Sequence, residues 1–191
     1  MASLYLPPRG PPSTIGITPV SHDGKDGMSG AEGDWCAVFN PSFDPLGPQK
    51  RYLKGIFVET DPQTQEGTMF HVTGDIITPS GMRFEVKEGY EAGSSIHLHS
   101  FPQIGWVPRA DMQSRRIETV LRALPTPTKQ VLKFWGKGPE SGYHDYIWTK
   151  KNGDPYGPGE QRRPIMKCNE WTHQLAIPTL INAGILQTTP S

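Results

Sequence analysis

A chain of 191 residues has room for one compact domain and a tail, and its 19 Lys and Arg balance 19 Asp and Glu, so no net positive charge is available to hold nucleic-acid phosphates or anionic lipid. Hydrophobic residues make up only 35% while 21 Gly and 20 Pro interrupt the chain, which predicts short elements joined by much loop. No apolar run approaches the roughly 20 residues of a membrane span and the N-terminus lacks the layout of a signal peptide, so a cytoplasmic protein with reduced thiols at Cys36 and Cys168 is expected.

The first 33 residues hold eleven Gly or Pro and read as a largely flexible segment, in which Ile15, Ile17 and Val20 leave room for an edge strand over 14–20. A single α+β domain over 34–191 is expected to follow. Trp35 to Phe39 reads as a buried strand that Asn40 and Pro41 end. Further strands are predicted over 52–58, 68–76, 82–87 and 95–99, from apolar alternation and β-branched or aromatic content. Thr78-Pro79-Ser80-Gly81 joins two of them as a hairpin, so the sheet is antiparallel. Between Asp111, placed as an N-cap, and Pro125, the residues Ile117, Val120, Leu121 and Leu124 share one helical face. Residues 136–163 carry Tyr143, Tyr146, Trp148 and Tyr156 among glycines, prolines and charges, and are predicted to be a long ordered loop around a short strand at 146–148. A helix over 167–175, and another that takes Pro178 in its first turn and closes at Gly184, complete the domain. The predicted architecture is a small antiparallel sheet packed by two or three helices.

Cys168 opens the late helix, where the helix dipole and the neighbouring Lys167, Arg162 and Arg163 would favour a thiolate. A buried, inert cysteine fits the same local sequence, because free cysteines are among the most buried residues. A thiol nucleophile needs a base, and six histidines are available. His71 stands out, since it lies between Phe70 and Val72 in a predicted strand, where an imidazole has to be hydrogen-bonded or used. A hydrogen-bonded core histidine would look the same. Glu85, in the next strand, could orient His71 if the hairpin register sets the two side by side. His97 and His99 share a strand face, but no third ligand accompanies them, so no metal is expected. Gly136-Lys137 lacks both the leading Gly and the Ser or Thr of a phosphate loop, and no cofactor is expected.

Three blocks stand in an order that resembles a group of small fungal proteins: Gly33-Asp34-Trp35-Cys36-Ala37-Val38, Gly67-Thr68-Met69-Phe70-His71-Val72-Thr73-Gly74 and Cys168-Asn169-Glu170-Trp171. That group is similar to circularly permuted members of the papain-like fold related to lecithin retinol acyltransferase. Ile104-Gly105-Trp106-Val107, followed by the 111–125 helix, adds to the likeness, which spans residues 34–186. The resemblance implies that Cys168 faces the sheet from the start of its helix and that a histidine from an earlier strand is its base. In the group this histidine looks like part of a His-Trp pair in the first core strand, and here Asp34 stands in its place before Trp35. A carboxylate is a poor base for a thiol at neutral pH. Either His71 has taken the role or thiol chemistry has been lost.

Three functions follow. In the first, His71 takes the Cys168 proton and the thiolate attacks an acyl carbon, giving acyl transfer, hydrolysis or ring closure on an ester, thioester or amide. In the second, Asp34, His71 and Glu85 are acid and base groups for the cyclisation or isomerisation of an apolar natural product, without a nucleophile. In the third, the same fold binds a ligand without catalysis. Trp35, Tyr143, Tyr146, Trp148, Tyr156 and Trp171 are the candidate substrate-binding side chains, and a small molecule of fungal specialised metabolism is the expected partner.

Overall fold

The computed structural model describes residues 34–43, 53–96, 98–135 and 144–189, all within a compact unit that spans Ala31–Ser191. The strand predicted over 14–20 lies outside the described residues. Among those described, the strands are β1 (Trp35–Phe39), β2 (Ser42–Phe43), β3 (Leu53–Lys54), β4 (Ile56–Asp61), β5 (Glu66–Gly74), β6 (Met82–Glu91), β7 (Leu98–Ser100), β8 (Gln103–Pro108), β9 (Val131–Trp135) and β10 (His144–Trp148). The fold is α+β. Its main sheet is antiparallel, in the order β6-β5-β4-β1-β8.

Alternation along the strands sorts the side chains into two layers. Cys36 and Val38 of β1, Ile56 and Val58 of β4, and Phe70 and Val72 of β5 join one buried cluster with Ile117, Leu121, Cys168, Trp171 and Leu180. These last five come from the helical half, so this face of the sheet is covered by helices. The intervening residues Phe39, Phe57 and Met69 join a second, smaller cluster with Tyr90, Ala92 and Phe101. That cluster lies on the opposite face of the same sheet, because a one-residue step along a strand reverses the side chain.

Three neighbouring strands of the main sheet, β4, β1 and β8, continue into a second sheet. β1 passes through Asn40 into β2, β3 passes through Gly55 into β4, and β7 passes through Phe101 and Pro102 into β8. The small sheet, ordered β3-β2-β7, thus repeats the order β4-β1-β8 of the strands it extends. Asn40, 2% exposed, staples this bend. Its N–H donates to the Pro102 carbonyl at 2.9 Å and its Nδ2 donates to the Gly55 carbonyl at 2.7 Å. A buried side-chain amide placed between strands satisfies backbone groups that the bend takes out of the ladder.

The helix predicted over 111–125 is two helices, α1 (Arg109–Gln113) and α2 (Arg116–Arg122), broken at Arg115, whose φ of 56° is left-handed. Asp111 lies inside α1 rather than capping it, and its carboxylate receives Arg116 at 3.1 Å. The two late helices are one continuous run: α3 (Cys168–Glu170), a π-helical turn (Trp171–Ala176) and α4 (Ile177–Asn182). The wide turn lies just upstream of Pro178, whose ring has no N–H to donate and crowds the preceding turn. Gly184, with φ 67°, closes the run as expected.

Elsewhere the prediction and the structure part. Of the predicted 95–99 strand only the last two residues, Leu98 and His99, belong to a strand, β7, which runs on to Ser100 and follows a 3-10 turn over Ala92–Ser94. The strand expected at 146–148 is present as part of β10, which pairs antiparallel with a strand the sequence reading did not place, β9, and residues 149–163 run as turns and loop as expected. Among the described residues, no helix is long and apolar enough to cross a membrane.

Candidate functional site

The start of the late helix is held by a backbone clasp. Gln130, 2% exposed, donates from Nε2 to the Met166 carbonyl, and its Oε1 accepts the Met166 N–H at 2.9 Å. Arg163 donates to the Lys129 carbonyl at 2.8 Å. One step on, the Lys167 N–H donates to the Glu170 carboxylate at 3.0 Å, the reciprocal half of a capping box. Cys168 therefore enters the helix-covered core, where it is 6% exposed and shares a cluster with Phe70, Val72 and Trp171. Trp171 is fully buried and packs on Phe84 with ring centroids 5.8 Å apart. Its Nε1 has no hydrogen-bond partner among the described residues.

His71 belongs to the other face. Its neighbours Phe70 and Val72 both point into the helix-covered core, so the imidazole projects from the opposite side of β5. The sheet stands between it and the Cys168 thiol. The Cys168/His71 pair required by the thiol-enzyme reading does not form, because three consecutive residues of a regular strand cannot all face one way.

The expected partner of His71 is in place. The register of β5 and β6 sets His71 directly opposite Glu85, with Lys87 opposite Met69 and Arg83 opposite Thr73 on the same face. Glu85 also has Arg83 within 3.7 Å. From the β4 side, Gly55 comes so close that a Cβ added there would stand 3.1 Å from His71 Cβ and 2.9 Å from Met69 Sδ. Burial pulls the imidazole below its ordinary 6.5, Lys87 pushes the same way, Glu85 opposes them, and Arg83 adds a smaller downward push. His71 is thus neutral at pH 7, and its Nε2 is buried without a hydrogen-bond partner among the described residues.

An aromatic floor extends from this position along the same face. Met69, two residues before His71, joins Phe39, Phe57 and Phe101. Phe39 stacks on Phe101 at 4.4 Å and 7°, while Phe57 meets Phe101 at 5.5 Å and Tyr90 at 6.4 Å.

Other candidates lie apart. Asp34 is exposed in the turn before β1, where its carbonyl accepts the Arg109 N–H at 2.7 Å. The registers Val38↔Val58, Val58↔Thr68 and Asp61↔Glu66 put Asp34 level with the residue just before β5, about 20 Å along the sheet from His71 at about 3.3 Å per residue. Asp34 does not join His71 and Glu85. Trp35 lies at the Asp34 end, opposite Pro108. Trp148 and Trp171 pack with the helix-side core, and the Tyr156 hydroxyl accepts the Arg163 N–H at 3.1 Å. Tyr143, the side chain of Tyr146 and His97 lie outside the described residues. Cys36 is 2% exposed, and burial pushes its thiol up. Among the described residues, both cysteines are free and no three His, Cys, Asp or Glu side chains are arranged to hold a metal ion.

The sequence reading missed Gly55, Lys87, Phe39, Phe57 and Phe101 as neighbours of the site. The alternation Arg83, Glu85, Lys87 was a usable signal for one of them. The aromatic floor required knowledge of which strands are adjacent.

A family model, described as a family of unknown function (DUF6540), matches residues 42–187. The matched span contains His71, Glu85 and Cys168 and begins after Asp34 and Trp35. No curated protein and no solved structure matches the chain.

Proposed function

The chain belongs to the DUF6540 family, and from that premise we propose that it transfers protons on an apolar small molecule, using His71 as a neutral base and Glu85 as its charge partner, without a covalent nucleophile. The observation that carries this reading is the unpartnered, water-shielded Nε2 of His71 opposite Glu85. An imidazole that is already neutral at pH 7 can accept a proton from carbon or oxygen, and the imidazolium formed is stabilised by the carboxylate across the strand pair. The same proton is then returned to another atom of the substrate, which completes an isomerisation or a ring closure with no other reactant. The aromatic floor of Phe39, Phe57 and Phe101 supports an apolar substrate, which it would shield from water and orient.

The permuted papain-like likeness enters the proposal as the origin of the fold. A helix still begins on a cysteine, but that cysteine packs in the core on the far side of the sheet from His71.

A generic proton-abstraction probe tests the reading. 5-Nitrobenzisoxazole opens its ring when a base removes its acidic C–H proton, and a water-shielded base accelerates the step. The wild-type protein should show a saturable rate that falls about a hundredfold in His71→Gln and persists in Cys168→Ala. A rate no greater than that of free imidazole, or one unchanged in His71→Gln, would overturn the proposal.

A further inference from the structure

The turn that follows β10 carries Asn152-Gly153, the one Asn-Gly pair in the chain, and Asn152, Gly153 and Asp154 are all exposed. Both ends of the Asn152 amide are committed to Asp154. Its Nδ2 donates to the Asp154 carboxylate at 2.7 Å, and its Oδ1 accepts the Asp154 N–H at 3.2 Å. The second bond closes an Asx turn, which folds the side chain back over the peptide that follows it. The nitrogen of that peptide belongs to Gly153, which has no Cβ to shield it. Its φ is 93°, and beyond its chain neighbours nothing lies within 4 Å of where a Cβ would stand.

These are the parts of an intramolecular attack. Once hydroxide has taken its proton, the Gly153 nitrogen bonds to Cγ of Asn152, and negative charge gathers on Oδ1, the atom that already receives the Asp154 N–H. The Cγ–Nδ2 bond then breaks and Nδ2 leaves as ammonia with a proton from water, closing a cyclic imide. Water opens the imide at either carbonyl, giving an aspartate or an isoaspartyl linkage. The net change is one water consumed and one ammonia released, with no change of oxidation state. One bond opposes the attack, because the Gly153 N–H donates to the Lys150 carbonyl at 3.0 Å and has to leave it first. A single exposed turn hydrogen bond slows the step by no more than about tenfold.

The product reverses the local electrostatics. A carboxylate oxygen replaces the Nδ2 donor in front of the Asp154 carboxylate, so that an attraction becomes a repulsion. The base of the loop is tied to the same residue: the Asp154 carbonyl accepts the Lys150 N–H at 2.8 Å, and Pro155 bridges to Thr149.

We propose that Asn152 is a self-modification site, which converts to aspartate and isoaspartate in the folded chain through its Asx turn with Asp154, and that the carboxylate so formed unlatches the turn over 150–154. The inference is independent of the proton-transfer reading, since the step uses water and the groups of the turn alone.

The test incubates the full chain, folded in buffer and unfolded in urea, at neutral and at mildly alkaline pH, and follows the tryptic peptide 152–162 by chromatography and mass spectrometry. In the folded chain this peptide should acquire the mass of the deamidated form in two separable isomers, faster at the higher pH and at a rate within about tenfold of the unfolded chain. Asn40, Asn169 and Asn182 should stay intact in the folded chain. Conversion confined to the unfolded chain would show that the turn protects Asn152, and the proposal would fall. Amide exchange reads the second half. Asn152→Asp should speed exchange of the Lys150 and Gly153 amides severalfold, and adding Asp154→Asn, which restores a donor and an acceptor with their places exchanged, should slow it again. Exchange at both amides unchanged in Asn152→Asp would sink the unlatching.

Discussion

His71 on β5 and Glu85 on β6 stand directly opposite each other in the sheet, with Lys87 as the next residue along on the same face of β6. The pair makes the imidazole the balance point of two opposed fields. Burial and Lys87 disfavour its charged form and Glu85 favours it. Titration of the His71 ring protons by NMR should give a midpoint below 6.5. Glu85→Gln should lower it further and Lys87→Met should raise it. A midpoint indifferent to both substitutions would show that the cross-strand charges do not reach the ring.

The same shift makes stability depend on pH. The folded imidazole holds its proton less tightly than the unfolded one, so the unfolded chain binds more protons as the pH falls below about 6.5. The contribution of His71 is therefore intact above that value and is lost as the pH drops through the folded midpoint. Replacing it with Gln removes this component and leaves all others in place. The fall in Tm between about pH 7.5 and about pH 5.5 should be smaller in His71→Gln than in the wild type. Equal falls in the two proteins would refute the linkage.

Cys36 and Cys168, at 2% and 6% exposure, are the only cysteines in the chain. Neither should react with a thiol-directed aromatic disulfide in native buffer, and both should react in guanidinium chloride. Cys168→Ser should destabilise by about 1–3 kcal/mol, because it buries a hydroxyl in an apolar cluster. Rapid labelling of Cys168 in the folded protein would contradict its placement in the core.

Gln130 holds both backbone groups of Met166, two residues ahead of the late helix. Gln130→Met keeps the approximate volume and removes both hydrogen bonds, leaving a half-buried N–H and carbonyl without their partner. The expected loss is about 2–4 kcal/mol in urea unfolding, with faster amide exchange from Met166 to Trp171 at the helix start. A loss below about 1 kcal/mol would mean that the segment reaches its position without the clasp.

The alternation of Trp35 to Phe39, the turn at Thr78 to Gly81 and the helical face of Ile117 and Leu121 are local patterns, and they carried the α+β architecture and the antiparallel pairing. The joining of the two late helices and the break at Arg115 were not legible in this way. Each is a backbone choice, a wide turn in one case and a left-handed φ of 56° in the other, made where tertiary packing outweighs the weak preferences of the residues concerned. The site divided along the same line. That Phe70 and Val72 face away from His71 is already written in a two-residue period. Periodicity says which residues share a face of a sheet, but it carries no information on which face a helix a hundred residues later will cover. Tertiary structure decided that, by burying Cys168 against Phe70 and Val72 and leaving His71 to Glu85.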